Sequence, residues 1–144
     1  ATTDQFLLIV GALRALAARE HPAELIVDSY LLRSLSHAGW APSVDVCAQT
    51  GTPGPHRHFV PSMGGMVDAS IAPPGSPTLS DDGVSLLASL LAGQWDVAEA
   101  SDEKTRREVS GVVAVYTQFH LERGVKALGQ MSRMRADQAE EARR

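Results

Sequence analysis

The chain is poor in the residues that staple or activate small proteins. Its 144 residues hold one cysteine, Cys47, so an internal disulfide is excluded and a reducing cytoplasm is the expected compartment. There are two lysines, Lys104 and Lys126, and neither follows a glycine, which removes the phosphate-cradling P-loop. G-x-G-x-x-G, H-E-x-x-H and G-x-S-x-G are all absent, so no nucleotide-binding, zinc-hydrolase or serine-nucleophile signature stands out. An apolar run such as residues 6–10 falls far short of the roughly 20 residues that a membrane span needs. The N-terminus lacks the basic, apolar and cleavage regions of a secretory leader, so secretion is not expected.

With 44% hydrophobic and 21% charged residues, the composition is that of one compact domain. The net charge of −4 argues against a uniformly basic coat for nucleic acid, but it is unevenly distributed. Residues 1–100 carry four basic and ten acidic side chains (−6), and residues 101–144 carry nine basic and seven acidic (+2). A polyanion is therefore expected to meet the C-terminal third, if it meets the chain at all.

Three regions follow along the chain. In residues 1–39, Asp4 is placed to cap a helix whose Phe6, Ile9, Val10, Leu13 and Leu16 recur at helical spacing. His21-Pro22 breaks it, and a second helix follows with Leu25, Ile26, Ser29, Leu32 and Leu35 on one face and Gly39 as its stop. This is a helical hairpin. Residues 40–78 lose the helical period and contain Pro42, Pro53, Pro55, Pro61, Pro73 and Pro74. Extended pieces at 43–47 and 58–60, joined by a turn at Gly51 to Gly54, would make a small hairpin there. Residues 79–134 are helical again. Thr78 or Ser80 with Asp81 and Asp82 starts one helix, and Ser101-Asp102-Glu103 starts a long one through Val109, Val112, Val113, Tyr116 and His120. Gly111 and Gly124 cost about 1 kcal/mol each inside it, so close packing is expected at both. Residues 135–144 are almost wholly polar and read as a frayed tail.

Two constellations carry chemistry. Cys47-Ala-Gln-Thr50-Gly51, then His56-Arg-His58-Phe59, then Gly64-Gly65-Met-Val-Asp68-Ala-Ser-Ile71 has the layout of a two-knuckle zinc ribbon. Only the first of the four ligand positions is a thiol, and Ile71 cannot coordinate at all. The second constellation lies on the last helix. Arg123, Lys126, Gln130 and Arg133 follow each other by three, four and three residues, so they share one stripe that could track phosphates. The plain alternative is a solvated helix face, with His120 a hydrogen-bonded core residue beside Tyr116 and Phe119.

Together these segments resemble the C-terminal domain of RecO, the bacterial DNA repair and recombination mediator, in its actinobacterial form. The resemblance is carried by Leu31-Leu-Arg-Ser-Leu, by Gly39-Trp-Ala-Pro-Ser-Val-Asp-Val-Cys47, by Gly64-Gly65, and by His120-Leu-Glu-Arg123 with Lys126-Ala-Leu128. It implies a mainly α fold, a helical bundle with an inserted irregular or small-β, zinc-ribbon-like element, without the N-terminal OB barrel of the family. It also implies a non-enzymatic, cytoplasmic and nucleoid-associated role. The implied partners are single-stranded DNA, the C-terminal tail of single-strand-binding protein, and RecR; no membrane is involved. Strand annealing and RecA loading are the activities of the family. Candidate contact residues are Arg14, Arg33, Arg123, Lys126 and Arg133. Of the family's four cysteines only Cys47 remains, with Thr50, Asp68 and Ile71 at the other positions. No cofactor is therefore expected; zinc would need His56, His58 or Asp68 as substitutes, and Trp40, Val44, Val46 and Phe59 are expected to hold the insert. The rival reading is a structural helical interaction module with no nucleic-acid role.

Overall fold

The structure, a computed structural model, describes residues 22–143 together with positions 10–12, 14 and 18. The capped start at Asp4 and the apolar positions Phe6, Ile9, Leu13 and Leu16 lie outside the described residues; Val10 and Arg14 are helical. Helix α1 spans Ala23–His37 and buries Leu25, Ile26, Ser29, Leu32 and Leu35 along one face. It ends where Gly39 turns left-handed (φ +88), which lets the Trp40 amide reach back to the Leu35 carbonyl at 2.8 Å. Trp40 is thus held firmly at the point where the helix gives way to the insert.

The insert contains one antiparallel pair, β1 (His58–Val60) with β2 (Gly65–Val67), joined by a 3-10 turn over Pro61–Met63. This corrects the expected hairpin: the partner of 58–60 is 65–67, not 43–47. Gly64 and Gly65, both at positive φ, reverse the chain within a few residues, a shorter closure than the Gly51–Gly54 route offered. Residues 43–48 lie on the other side of β2, clasped by Ser43 N–H to Gly64 O (2.9 Å), Met66 N–H to Ser43 O (2.8 Å) and Ala48 N–H to Met66 O (2.8 Å). A Cβ on Gly65 would collide with the Ser43 backbone, so glycine is required for that clasp.

Helix α2 (Asp81–Ala92) starts at Ser80, whose hydroxyl accepts the Gly83 amide at 3.1 Å. The Glu108 carboxylate in turn accepts from the Ser80 amide and hydroxyl, tying this start to the long helix. A short α3 (Trp95–Glu99) follows, then α4 (Glu103–Arg143), where Asp102 accepts the Thr105 amide at 2.7 Å. Helix α4 is continuous to Arg143, through the polar stretch expected to fray. Alanine, glutamate and arginine dominate that stretch, and all three favour helix intrinsically.

The main core joins three helices and the insert: Leu25, Leu32 and Leu35; Leu86, Leu87 and Leu90; Val109, Val113 and Tyr116; and Val44, Phe59, Met66 and Leu79. A satellite core inside the insert packs Cys47, Val60 and Val67 with Ala48, Met63 and Ala72. Two expectations are corrected here. Val44 and Phe59 are buried, but Val46 is 40% exposed, and Trp40 is 43% exposed while its ring stacks on His120. Gly111 and Gly124 meet nothing within 4 Å of an added Cβ, because neither faces a packed neighbour. Close approach instead occurs at Gly83, where a Cβ would sit 2.8 Å from Glu108. No helix among the described residues is long and apolar enough to cross a membrane.

Candidate functional site

The knuckle at Cys47 keeps the outline of a metal loop. The Gly51 amide bonds to the Cys47 carbonyl at 2.9 Å, and the Asp68 amide points at the Cys47 sulfur at 3.4 Å. The Thr50 hydroxyl, aided by the amides of Asp68, Thr50 and Gln49, draws the thiol down to about 7 against the opposing effect of burial. The other positions are committed elsewhere. Thr50 shares a hydrogen bond with the Thr52 hydroxyl (2.9 Å), and Asp68 accepts the Ser70 amide (3.0 Å). The ring of His56 reaches the Thr52 carbonyl (2.8 Å), and His58 lies in β1. Among the described residues no three His, Cys, Asp or Glu side chains group as metal ligands. With one thiolate, a neutral hydroxyl and an isoleucine, this donor set does not fit tetrahedral zinc.

The second region is built on α4 where it leaves the core. Its last buried residue is Tyr116 and its last packed side chain that of His120, so residues 121–143 project from the body; at 1.5 Å per residue the arm extends about 35 Å. At its base is an aromatic cluster. Trp40 stacks on His120 with ring centroids 4.7 Å apart and planes 9° from parallel. Tyr116 and Phe119 meet His120 edge-on at 4.6 and 5.3 Å, and Tyr116 meets Phe59 edge-on at 5.4 Å. The Tyr116 hydroxyl donates to the Trp40 carbonyl at 2.9 Å. The Arg123 guanidinium lies 5.3 Å from the centre of the Phe119 ring, a cation–π arrangement.

His120 is therefore not the hydrogen-bonded residue expected from sequence. Its Nε2 is buried without a hydrogen-bond partner, because rings enclose it on every side the cluster supplies. Burial, and secondarily the Arg123 charge, lowers its pKa, so the imidazole is neutral at physiological pH.

The arm presents two faces. Arg123, Lys126, Gln130 and Arg133 are all exposed and form the cationic stripe. Leu121, Val125 and Leu128, spaced by four and three, form an apolar stripe that is 64%, 68% and 65% exposed. At 100° per residue these stripes are well separated around the helix, since Leu121 and Arg123 differ by about 200°. Met131 and Met134 add further exposed apolar surface. Of the sequence-derived candidates, Arg123, Lys126 and Arg133 come together on one face. Arg33 is exposed on α1, a separate helix, and Arg14 is exposed in the helical segment that precedes it. Sequence reasoning missed the Trp40–His120 stack, which joins residues 80 positions apart. It also missed the apolar stripe, which was legible as a continuation of the 3–4 spacing past Tyr116.

Comparison with known proteins places the chain in a family. Residues 1–129 match the family model described as Recombination protein O C terminal. A DNA repair protein RecO of Thermobifida fusca is 51% identical over 124 residues, covering 86% of this chain and 51% of that protein. Proteins of the same name in Nocardioides sp. and Streptomyces griseus are 47% identical over 135 residues and 46% over 125 residues. They cover 92% and 87% of this chain, and 55% and 50% of their own lengths. The chain thus spans about half the length of these curated relatives. No solved structure matches it. With a family model matched from residue 1 to 129 and relatives near half identity, the chain belongs to the family of recombination protein O C-terminal domains.

Proposed function

We propose that this domain is a non-catalytic, cytoplasmic part of a DNA repair and homologous recombination mediator acting in the RecF pathway. It docks partners, namely the acidic, apolar tail of single-strand-binding protein and RecR, and adds auxiliary contacts to single-stranded DNA during strand annealing and RecA loading. The observation that carries this reading is the projecting α4 arm, with an exposed apolar stripe on one face and a cationic stripe on another. An acidic tail with apolar side chains needs both apolar surface and cations, and the arm supplies them on roughly opposite sides, Leu121, Val125 and Leu128 on one and Arg123 and Lys126 on the other. A polyanion needs exposed cations in a row and no more than that.

Titration of the tail peptide against the chain tests the docking. Replacing Arg14, Arg33 or Arg123 by Ala identifies the rim, and loss of affinity in none of them refutes it. Single-strand binding through the three cations of the stripe gives a slope of log K against log salt of about −2.1. No detectable binding at low salt favours the structural interaction module instead. We also propose that the insert folds without metal, as the donor set at Cys47 suggests. A chelator then leaves Tm unchanged, and a fall of several degrees overturns this.

A further inference from the structure

We propose that Trp40, backed by His120, is a base-stacking platform for single-stranded nucleic acid, and that Arg123, Lys126 and Arg133 lead the phosphates away from it along α4. This rests on the nucleic-acid part of the function proposed above and assigns it a place.

Three observations carry it. First, Trp40 is 43% exposed although it is a large apolar ring at the edge of a well-formed core. Second, its position is set on two sides before any ligand arrives. His120 lies parallel beneath it at 4.7 Å, and its backbone is held by the Leu35 carbonyl at 2.8 Å and the Tyr116 hydroxyl at 2.9 Å. An ordered ring loses little freedom on binding, which is the main cost that flexible surface aromatics carry. Third, the cations begin where the rings end. Arg123 lies against Phe119, which itself abuts His120, and the stripe runs on to Arg133 about 20 Å up the helix from His120.

A flat π surface leading into a row of cations is the chemistry of sequence-tolerant single-strand binding, in which bases stack and phosphates are tracked. An acidic, apolar peptide fits this place less well. It needs aliphatic surface, and the aliphatic stripe of Leu121, Val125 and Leu128 lies round the arm from the cations. The neutral His120 is consistent with a plate that stiffens the indole and carries no charge of its own.

The test uses the full 144-residue chain with a labelled oligothymidylate and an abasic oligomer of the same length. Trp40→Leu is expected to weaken oligothymidylate binding roughly five- to hundredfold, the range of one base–aromatic stack, with little effect on the abasic strand. Replacing Arg123, Lys126 and Arg133 together by Ala weakens both strands. In a Trp95→Phe background, which leaves Trp40 as the one remaining tryptophan, oligothymidylate quenches the emission and the abasic strand does not. Equal loss for both strands in Trp40→Leu assigns the residue a structural role and overturns the platform. Strand binding that needs the cations but ignores Trp40 overturns the platform and leaves the proposed function standing. Failure of the unmodified chain to bind either strand at low salt removes the platform together with the nucleic-acid part of the proposed function. Quenching of Trp40 by the acidic peptide but not by the oligomer also refutes the platform.

Discussion

Replacing Tyr116 by Phe isolates the hydrogen bond that sets Trp40. The tyrosine ring is 2% exposed and sits edge-on to both Phe59 and His120, and phenylalanine fills the same volume with the same ring contacts. What is lost is the hydroxyl that donates to the Trp40 carbonyl at 2.9 Å. A typical intramolecular hydrogen bond contributes about 0.5–1.5 kcal/mol net. Trp40 is surface-exposed, so water can reach the abandoned carbonyl, and the expected cost stays within that range, about 1 kcal/mol. For a domain of this size that is a fall in Tm of about 3 °C. Tyr116→Ala removes the ring as well and is expected to cost about 3–5 kcal/mol, as truncation of a buried aromatic does. Urea unfolding of the three proteins, followed by far-UV circular dichroism, measures both steps. The reasoning is refuted if Tyr116→Phe is as damaging as Tyr116→Ala, or if it leaves both stability and Trp40 emission unchanged.

Gly111→Ala and Gly124→Ala are each expected to stabilise α4 by up to about 1 kcal/mol, because a methyl group there meets open space; a loss of stability in thermal melts contradicts that. The Asp28 carboxyl, 6% exposed and hydrogen-bonded by Ser110, has its pKa raised chiefly by burial. Its contribution is therefore full below the unfolded value of 3.8 and is lost as pH rises through the folded value. Asp28→Asn should accordingly gain on the parent protein as pH increases from 3 to 7, and urea midpoints across that range that keep a constant difference refute it. At the knuckle, thiolate absorbance of Cys47 should appear with a midpoint of about 7, and Thr50→Val should move it toward the ordinary 9.0; no movement shows that the Thr50 hydroxyl is not the main cause.

Local pattern made the helices readable, since apolar spacing and caps act within a turn or two. Leu25, Ile26, Ser29, Leu32 and Leu35 form the buried face of α1, Ser80 caps α2, and Asp102 caps α4, each as its neighbours in sequence require. The mainly α class and the family resemblance followed from the same local signals. The cationic stripe of Arg123, Lys126 and Arg133 was equally legible, because three- and four-residue steps on one helix need no tertiary information.

Only the tertiary structure decided what those elements meet. The partner of β1 turned on which pair of glycines closed the chain most tightly, a comparison between distant alternatives that no local pattern encodes. Whether Gly111 or Gly83 sat under a neighbour depended on how α2 and α4 were rotated against each other. The Trp40–His120 stack joins the end of one helix to the middle of another across a separation of 80 positions, so its geometry exists only once the core has closed around Tyr116. Helical periodicity is a property of neighbours along the chain; contact between remote rings is a property of packing.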